Sequence, residues 1–292
     1  MTMPVLKGLD RRQIIKLLSL ALAANGRTAR SLAAEGSLRW GIDYGATTNP
    51  EIACKFDLLV LDPDHSRPIE PLRAPHGVLL GYMSLGEVHH GRPYFEDLKS
   101  SGVLGQANPN WPGAYFADLR SSKWRDTVLS RIVPEILSKG YNGIFIDTAD
   151  NAEAMERAAP QANAGMIAAA AAMVRDIRKR YPAMKIMLNR GYAILPDVAT
   201  SIDYILAESM ASRWNFVRKQ YELLSQDDWE WQASRLRAAR SLNPGLAAMT
   251  LDYWEPSEDR QVLALYARER AAGFHPYVAT LALDRLMPEP GG

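Results

Sequence analysis

The sequence predicts an α/β fold of one class, a single (β/α)8 TIM barrel, on three observations. Eight short apolar runs follow residue 38, at 39–44, 56–61, 77–84, 141–147, 185–189, 202–208, 245–252 and 274–280. Several of them lack strict polar alternation, the pattern of strands covered on both faces. Helical segments lie between several of the runs, and strand–helix alternation over about 255 residues matches the size of a closed barrel.

Taken in order, the first run ends in Asp43-Tyr44 and is followed at 47–54 by room for one short helical turn. The second ends before Asp62-Pro63-Asp64. The third supplies Tyr82 and Ser84, with Glu87 just beyond. The stretch 87–120 is long and aromatic, carries Trp111, and has an extended segment at 114–119. It reads as a large loop over the barrel mouth, and long ordered loops usually carry function. A helix fits 122–139, with Trp124, Val128, Leu129, Ile132, Ile136 and Leu137 as its apolar positions. The fourth run ends in Asp147, with Asp150 three positions on. A helix over 161–180 carries Met166, Ile167, Met173, Val174 and Ile177 and stops near Tyr181-Pro182. The fifth run ends in Asn189-Arg190, the sixth in Glu208 and the seventh in Asp252-Tyr253. Trp229 and Trp231 fall in a helical stretch before the seventh run and read as packing residues. A helix over 258–272 has Val262, Leu265 and Tyr266 on one stripe. The eighth run offers Tyr277 and Thr280.

The barrel is assigned to residues 35–292, and residues 1–34 read as a targeting segment. Arg11-Arg12-Gln13-Ile14-Ile15-Lys16 resembles the twin-arginine export motif, with Asp10 where Ser or Thr is usual. The apolar run 17–24 is too short for a permanent span. Small residues at Ser31-Leu32-Ala33-Ala34 make a cleavage region. Arg27 and Arg30 between the two are atypical, and the competing reading is an uncleaved amphipathic helix. Export places the mature protein in the periplasm or outside the cell.

Residues 1–34 hold six Lys/Arg and one acid, Asp10. The remainder has 28 basic and 32 acidic residues, a net charge of −4. That balance argues against nucleic acid as a partner and fits a neutral or cationic ligand. Cys54 is the one cysteine, so no internal disulfide forms, and it reads as a small packing side chain. No Gly-x-Gly-x-x-Gly run follows a strand and no Walker loop occurs, so no nucleotide cofactor is expected. His89-His90 lacks a third ligand at suitable spacing and reads as a loop pair, so no metal is expected. His275, at the start of the last strand, reads as packing. Ser84 lacks the glycine that precedes a nucleophile elbow.

The polar residues that remain gather where the strands end, the place where barrel active sites are built. Asp147 and Glu208 stand directly after the apolar runs 143–146 and 204–207. Such positions are partly desolvated, which costs free energy unless the group is used or paired. Two carboxylates across one cleft suit glycosidic cleavage, one protonating the leaving oxygen and the other attacking carbon or activating water. Metal enzymes and lyases also use such clefts. Asp43, Tyr44, Asp62, Tyr82, Glu87, Trp111, Asp150, Asn189, Arg190, Asp252 and Tyr253 are the candidate substrate-binding residues, with Asp150 also a candidate helix N-cap.

The segments 81–87 (Gly-Tyr-Met-Ser-Leu-Gly-Glu), 110–113 (Asn-Trp-Pro-Gly), 139–150 (Lys-Gly-Tyr-Asn-Gly-Ile-Phe-Ile-Asp-Thr-Ala-Asp) and 207–210 (Ala-Glu-Ser-Met) together resemble glycoside hydrolase family 114. That family contains endo-α-1,4-polygalactosaminidases. The resemblance runs from about Trp40 to Thr280. It implies a barrel hydrolase of a galactosamine-containing polysaccharide, with Asp147 and Glu208 as the catalytic carboxylates. We expect Asp147 to be the nucleophile and Glu208 the general acid/base of a retaining mechanism. Family members commonly have Asp where Asn142 stands, a change expected to affect strand capping and not chemistry. The alternatives are a non-catalytic carbohydrate-binding barrel and a hydrolase of a different exopolysaccharide.

Overall fold

A computed structural model describes residues 38–64 and 68–291 of the chain. The expected export segment lies outside those residues. The strands are, in order, β1 (Trp40–Asp43), β2 (Leu58–Leu61), β3 (Val78–Ser84), β4 (Glu87–His89), β5 (Leu104–Ala107), β6 (Ala114–Ala117), β7 (Gly143–Asp147), β8 (Lys185–Asn189), β9 (Tyr204–Glu208), β10 (Ser212–Asn215), β11 (Gln220–Leu223), β12 (Ala247–Tyr253) and β13 (His275–Ala279). The helices are α1 (Pro50–Ala53), α2 (Phe95–Ser100), α3 (Ser122–Thr127), α4 (Val133–Ser138), α5 (Asn151–Ala158), α6 (Met166–Arg180), α7 (Leu195–Val198), α8 (Gln226–Leu242) and α9 (Asp259–Ala271).

Eight parallel strands form one sheet in the order β1-β2-β3-β7-β8-β9-β12-β13. All eight expected strands are present. The sheet curls into a nearly closed barrel: the Trp40 indole donates to the His275 carbonyl at 2.8 Å, and the Leu38 amide donates to His275 Nδ1 at 3.1 Å. His275 is therefore a seam residue, in line with its expected packing role. Strands such as β2 are buried along their whole length, because the interior covers one face and helices the other. Each fully buried Leu, Ile or Phe in these strands contributes roughly 1.5–3 kcal/mol.

Residues paired across parallel strands share a face of the sheet. Ser84 pairs with Asp147, Asn189 with Leu206, and Leu251 with Glu208. Asp147, Asn189, Glu208 and, two residues beyond Leu251, Tyr253 therefore share the inner phase. Asp43 and Asp252, each one residue out of step, take the outer phase.

The helical rod expected at 122–139 is present in three parts, α3, a π turn at Val128–Ile132, and α4. Ser121 caps its start by accepting the Trp124 amide. Pro134 has no N–H to give the preceding turn, which accounts for the widened stretch before it. Gly81 on β3 lets α4 approach closely, since a Cβ there would sit 2.5 Å from Ile136 Cγ2. Asn142 Oδ1 accepts the Leu79 amide at 2.9 Å and also binds Arg73, a capping role at the foot of β3.

Three regions differ from expectation. The helix expected from 161 begins at Met166, after Gly165 at φ 87°, and α5 precedes it. The segment 87–120 holds α2 and a three-stranded sheet in the order β4-β6-β5. The hairpin of β10 and β11, directly after Glu208, was not expected. Trp229 is buried, and Trp231, nearly half exposed, packs edge-on against Tyr192 and beneath the Arg235 guanidinium, so both pack, the first in the interior and the second at the surface. Among the described residues, no helix is long and apolar enough to cross a membrane.

Candidate active site

Three neighbouring strands end on Asp147, Asn189 and Glu208, and the next residue of each is left-handed: Thr148 at φ 58°, Arg190 at 52° and Ser209 at 54°. Non-glycine residues adopt this region at a cost, and such strain clusters at functional sites. Here the left-handed residue ends each strand immediately after its polar side chain.

Asn189 joins the two acids. Its Nδ2 donates to Asp147 Oδ1 at 2.9 Å and to Glu208 Oε2 at 2.7 Å. Those two bonds meet at one nitrogen, so these carboxylate oxygens are at most about 5.6 Å apart. Asp147 Oδ1 also accepts the Thr148 amide at 2.8 Å, and its Oδ2 accepts the Tyr82 hydroxyl at 3.0 Å. Glu208 Oε1 accepts the Tyr253 hydroxyl at 2.7 Å. Tyr44 packs edge-on against Tyr82 with ring centroids 5.1 Å apart.

Electrostatics follow from this crowding. The Asp147 carboxyl is pushed up to about 6, first by burial and then by the Glu208 charge, against the lowering effect of Asn189, Thr148 and Tyr82. The phenols of Tyr44, Tyr82 and Tyr253 are raised well above their ordinary value, chiefly by burial and then by the same two carboxylates. All three remain neutral hydroxyls at physiological pH, able to donate to an anion.

Around this inner ring, Thr148 fastens the loop after β3. Its hydroxyl lies 2.7 Å from Ser84 Oγ and accepts the Gly86 amide at 2.9 Å. Only glycine fits at position 86, where a Cβ would fall 2.4 Å from the Thr148 carbonyl. Glu87 is buried, and one of its oxygens accepts Asn108 and Asn151, each at 2.7 Å. It joins the small sheet to the start of α5.

The rim carries the other charges. Asp62 lies 3.7 Å from Arg92, which also binds Asp64. Asp150 Oδ2 lies 3.9 Å from Arg190 Nε, with both side chains about two-fifths exposed. Asp150 occupies the cap position of α5 but makes no side-chain cap bond. Trp111 is 65% exposed in the turn between β5 and β6.

Of the residues expected from sequence, the structure brings Tyr44, Tyr82, Asp147, Asn189, Glu208 and Tyr253 into one cluster. Asp62, Asp150, Arg190 and Trp111 lie outside that ring. Two expectations are corrected. Asp43 is fully buried and holds its own loop, accepting the Gly45 amide at 2.7 Å and the Thr48 hydroxyl. Asp252 is 1% exposed and accepts the amides of Ala211 and Ser212 behind the wall. Both acids sit on the outer phase, so neither faces the mouth. Sequence reasoning missed Thr148, Asn151 and Gln232, whose partners come from distant segments. It had no local signal for them.

The arrangement supplies two carboxylates at short range, one anchored by three donors and the other by two, with neutral phenols around them. Such a pair can act on a glycosidic bond. Comparison with known proteins gives the same direction. The chain is similar to the glycoside hydrolase domain of PelA from Pseudomonas aeruginosa, at 26% identity and a TM-score of 0.76, covering 86% of this chain and 98% of that one. It shares the fold of Ega3 from Aspergillus fumigatus, at 18% identity and a TM-score of 0.65, covering 87% and 95%. An uncharacterized protein of Deinococcus radiodurans is 26% identical over 270 residues, 85% of this chain and 82% of that protein. The sequence pattern of glycoside-hydrolase family GH114 matches residues 21–291, so the chain belongs to that family and is a glycoside hydrolase.

Proposed function

We propose that the protein cleaves bonds within a galactosamine-containing polysaccharide by a retaining mechanism. Asp147 serves as nucleophile and Glu208 as general acid/base. The observation that carries this reading is the shared Asn189 amide, which holds the nearest carboxylate oxygens within about 5.6 Å. Retaining enzymes place their carboxyls about 5–5.5 Å apart, whereas inverting ones need roughly 6.5–9.5 Å to admit a water.

In the first step an Asp147 oxygen attacks the anomeric carbon while Glu208 gives its proton to the departing glycosidic oxygen. An ester to Asp147 forms and the leaving chain departs as an alcohol. In the second step Glu208 takes a proton from water, the water oxygen attacks the same carbon, and Asp147 leaves as a carboxylate. The raised Asp147 carboxyl alone would equally suit a proton donor. The three hydrogen-bond donors aimed at its oxygens favour the anion and hence the nucleophile.

The substrate class rests on charge and likeness. Asp62 and Asp150 are each set against an arginine, Arg92 and Arg190, so the negative charge to which free amino groups on a sugar chain would be drawn is that of the Asp147–Glu208 pair. Ega3, which shares the fold, was solved in complex with galactosamine.

The test is release of reducing ends from a partly deacetylated galactosamine polymer. Wild type should cleave it, and Asp147→Asn and Glu208→Gln should each lower kcat by about 10³-fold or more. The fully acetylated polymer should be cleaved more slowly. Full activity in both variants overturns the site assignment, equal rates on both polymers remove the amino-group preference, and binding without new ends points to a non-catalytic barrel.

A further inference from the structure

Glu208 is followed by a turn whose residues are each held in place. The Ser209 carbonyl accepts Gln232 Nε2 at 2.8 Å, and the Met210 amide donates to the Leu251 carbonyl at 3.3 Å. The amides of Ala211 and Ser212 both donate to Asp252 Oδ1, each at 2.7 Å. The Ser212 hydroxyl lies 3.1 Å from Asp252 Oδ1 and accepts the Tyr253 amide at 3.2 Å. Tyr253 then donates its phenol to Glu208. A closed ring of bonds therefore runs from Glu208 along its own loop to Asp252, through Ser212 to Tyr253, and back to Glu208.

We propose, on the hydrolase reading above, that Asp252 is a positioning residue which fixes Glu208 from the outer side of the barrel wall. It touches no substrate. Every donor bound to its carboxylate belongs to the loop that follows Glu208. An asparagine could accept the same amides with less desolvation, but hydrogen bonds to a charged acceptor are roughly twice as strong as neutral ones. The second oxygen, Oδ2, is buried without a partner, so the charge is committed to that loop. Glu269, Arg268 and Tyr266 of α9 face Asp252 from behind. On the mouth side, Asp147, Tyr44, Tyr253 and Asn189 face Glu208. Displacing a catalytic group by about 1 Å can cost ~10²-fold in rate, so a loosened loop should be felt at Glu208.

The experiment compares wild type, Asp252→Asn and Ser212→Ala in the reducing-end assay across about pH 4 to 9. Asp252→Asn should lower kcat about tenfold or more and Ser212→Ala about threefold, with KM within roughly twofold of wild type. In both, the acid limb set by Asp147 should move, because the Glu208 charge that helps raise that carboxyl is displaced. A purely structural role would reduce the folded fraction and leave the shape of the pH profile unmoved. Should Asp252→Asn fail to fold, Ser212→Ala, which keeps both amide bonds, decides the matter. Wild-type kcat and profile in the folded variants overturn the positioning role alone. A wild type that releases no ends overturns the hydrolase reading instead.

Discussion

Two pairs of acids flank the wall formed by β9 and β12, and they are built in opposite ways. At the mouth, Asp147 and Glu208 have a donor on each of their four carboxylate oxygens. Behind the wall, Asp252 and Glu269 each keep one buried oxygen without a partner. Each pair contains a raised carboxyl. Asp147 stands at about 6 through burial and the Glu208 charge, and Glu269 at about 8 through burial and the Asp252 charge. A perturbed carboxyl thus records burial and repulsion wherever they occur. What separates the mouth pair is the set of directed donors, which orient both acids toward one space.

The bridge at Asn189 is the sharpest point of that difference, and removing it should have the largest effect. Asn189→Ala takes one donor from each acid and should lower kcat about 10²-fold. The Asn189 bond lowers the Asp147 carboxyl, so its loss should raise that carboxyl further. A nucleophile must be ionised, so the acid limb of the rate profile, expected near pH 6, should move to higher pH. A variant with wild-type kcat and an unmoved limb would mean the bridge does not distinguish the two pairs.

The pair behind the wall should answer in stability. The Glu269 carboxyl is raised from 4.5 to about 8 in the folded protein. Between those values the folded chain holds a proton that the unfolded chain has lost, so stability falls as pH rises through this window. Glu269→Gln removes that penalty, and its side-chain oxygen can still accept the Trp229 indole, which now donates to Glu269 at 2.7 Å. The variant should match wild type near pH 4 and exceed it at about pH 8.5 by on the order of 2–4 kcal/mol. Thermal unfolding at the two pH values checks this. A loss of stability at the higher pH would show that Glu269 is usefully ionised and that the pair is not a strained one.

How much of this was legible in the sequence depended on what each feature requires. The eight strands were, because burial on both faces writes itself as apolar runs such as Leu58–Leu61 and Gly143–Asp147. Acids at strand ends were legible for the same reason, which is how Asp147 and Glu208 were found. Phase was not. Asp252 and Tyr253 both end the seventh barrel strand, yet one faces the helices and the other the mouth. A strand end that is polar on both sides gives no hydrophobic contrast to tell them apart. The β10–β11 hairpin was hidden because Lys219, at φ 52°, takes the left-handed position without the Gly or Asn that marks such turns. Asn189 could be placed at a strand end but not as a bridge, since that role needs three strands in register.

The smallest effect should separate an exposed tryptophan from a buried one. Trp111 is 65% exposed between β5 and β6, whereas Trp229 is buried against Glu269. An aromatic contact contributes about 0.5–1.5 kcal/mol beyond its buried area, so Trp111→Ala should raise KM on a long polymer roughly threefold. Its kcat should hold, and short oligomers that do not reach the turn should be cleaved as before. Trp229→Phe should leave KM alone on every chain length and lower stability, because Glu269 loses its one donor. Measuring KM against chain length for both variants decides the point. An unchanged KM for Trp111→Ala on long chains would remove the β5–β6 turn from recognition and leave binding to the inner ring of Tyr44, Tyr82 and Tyr253.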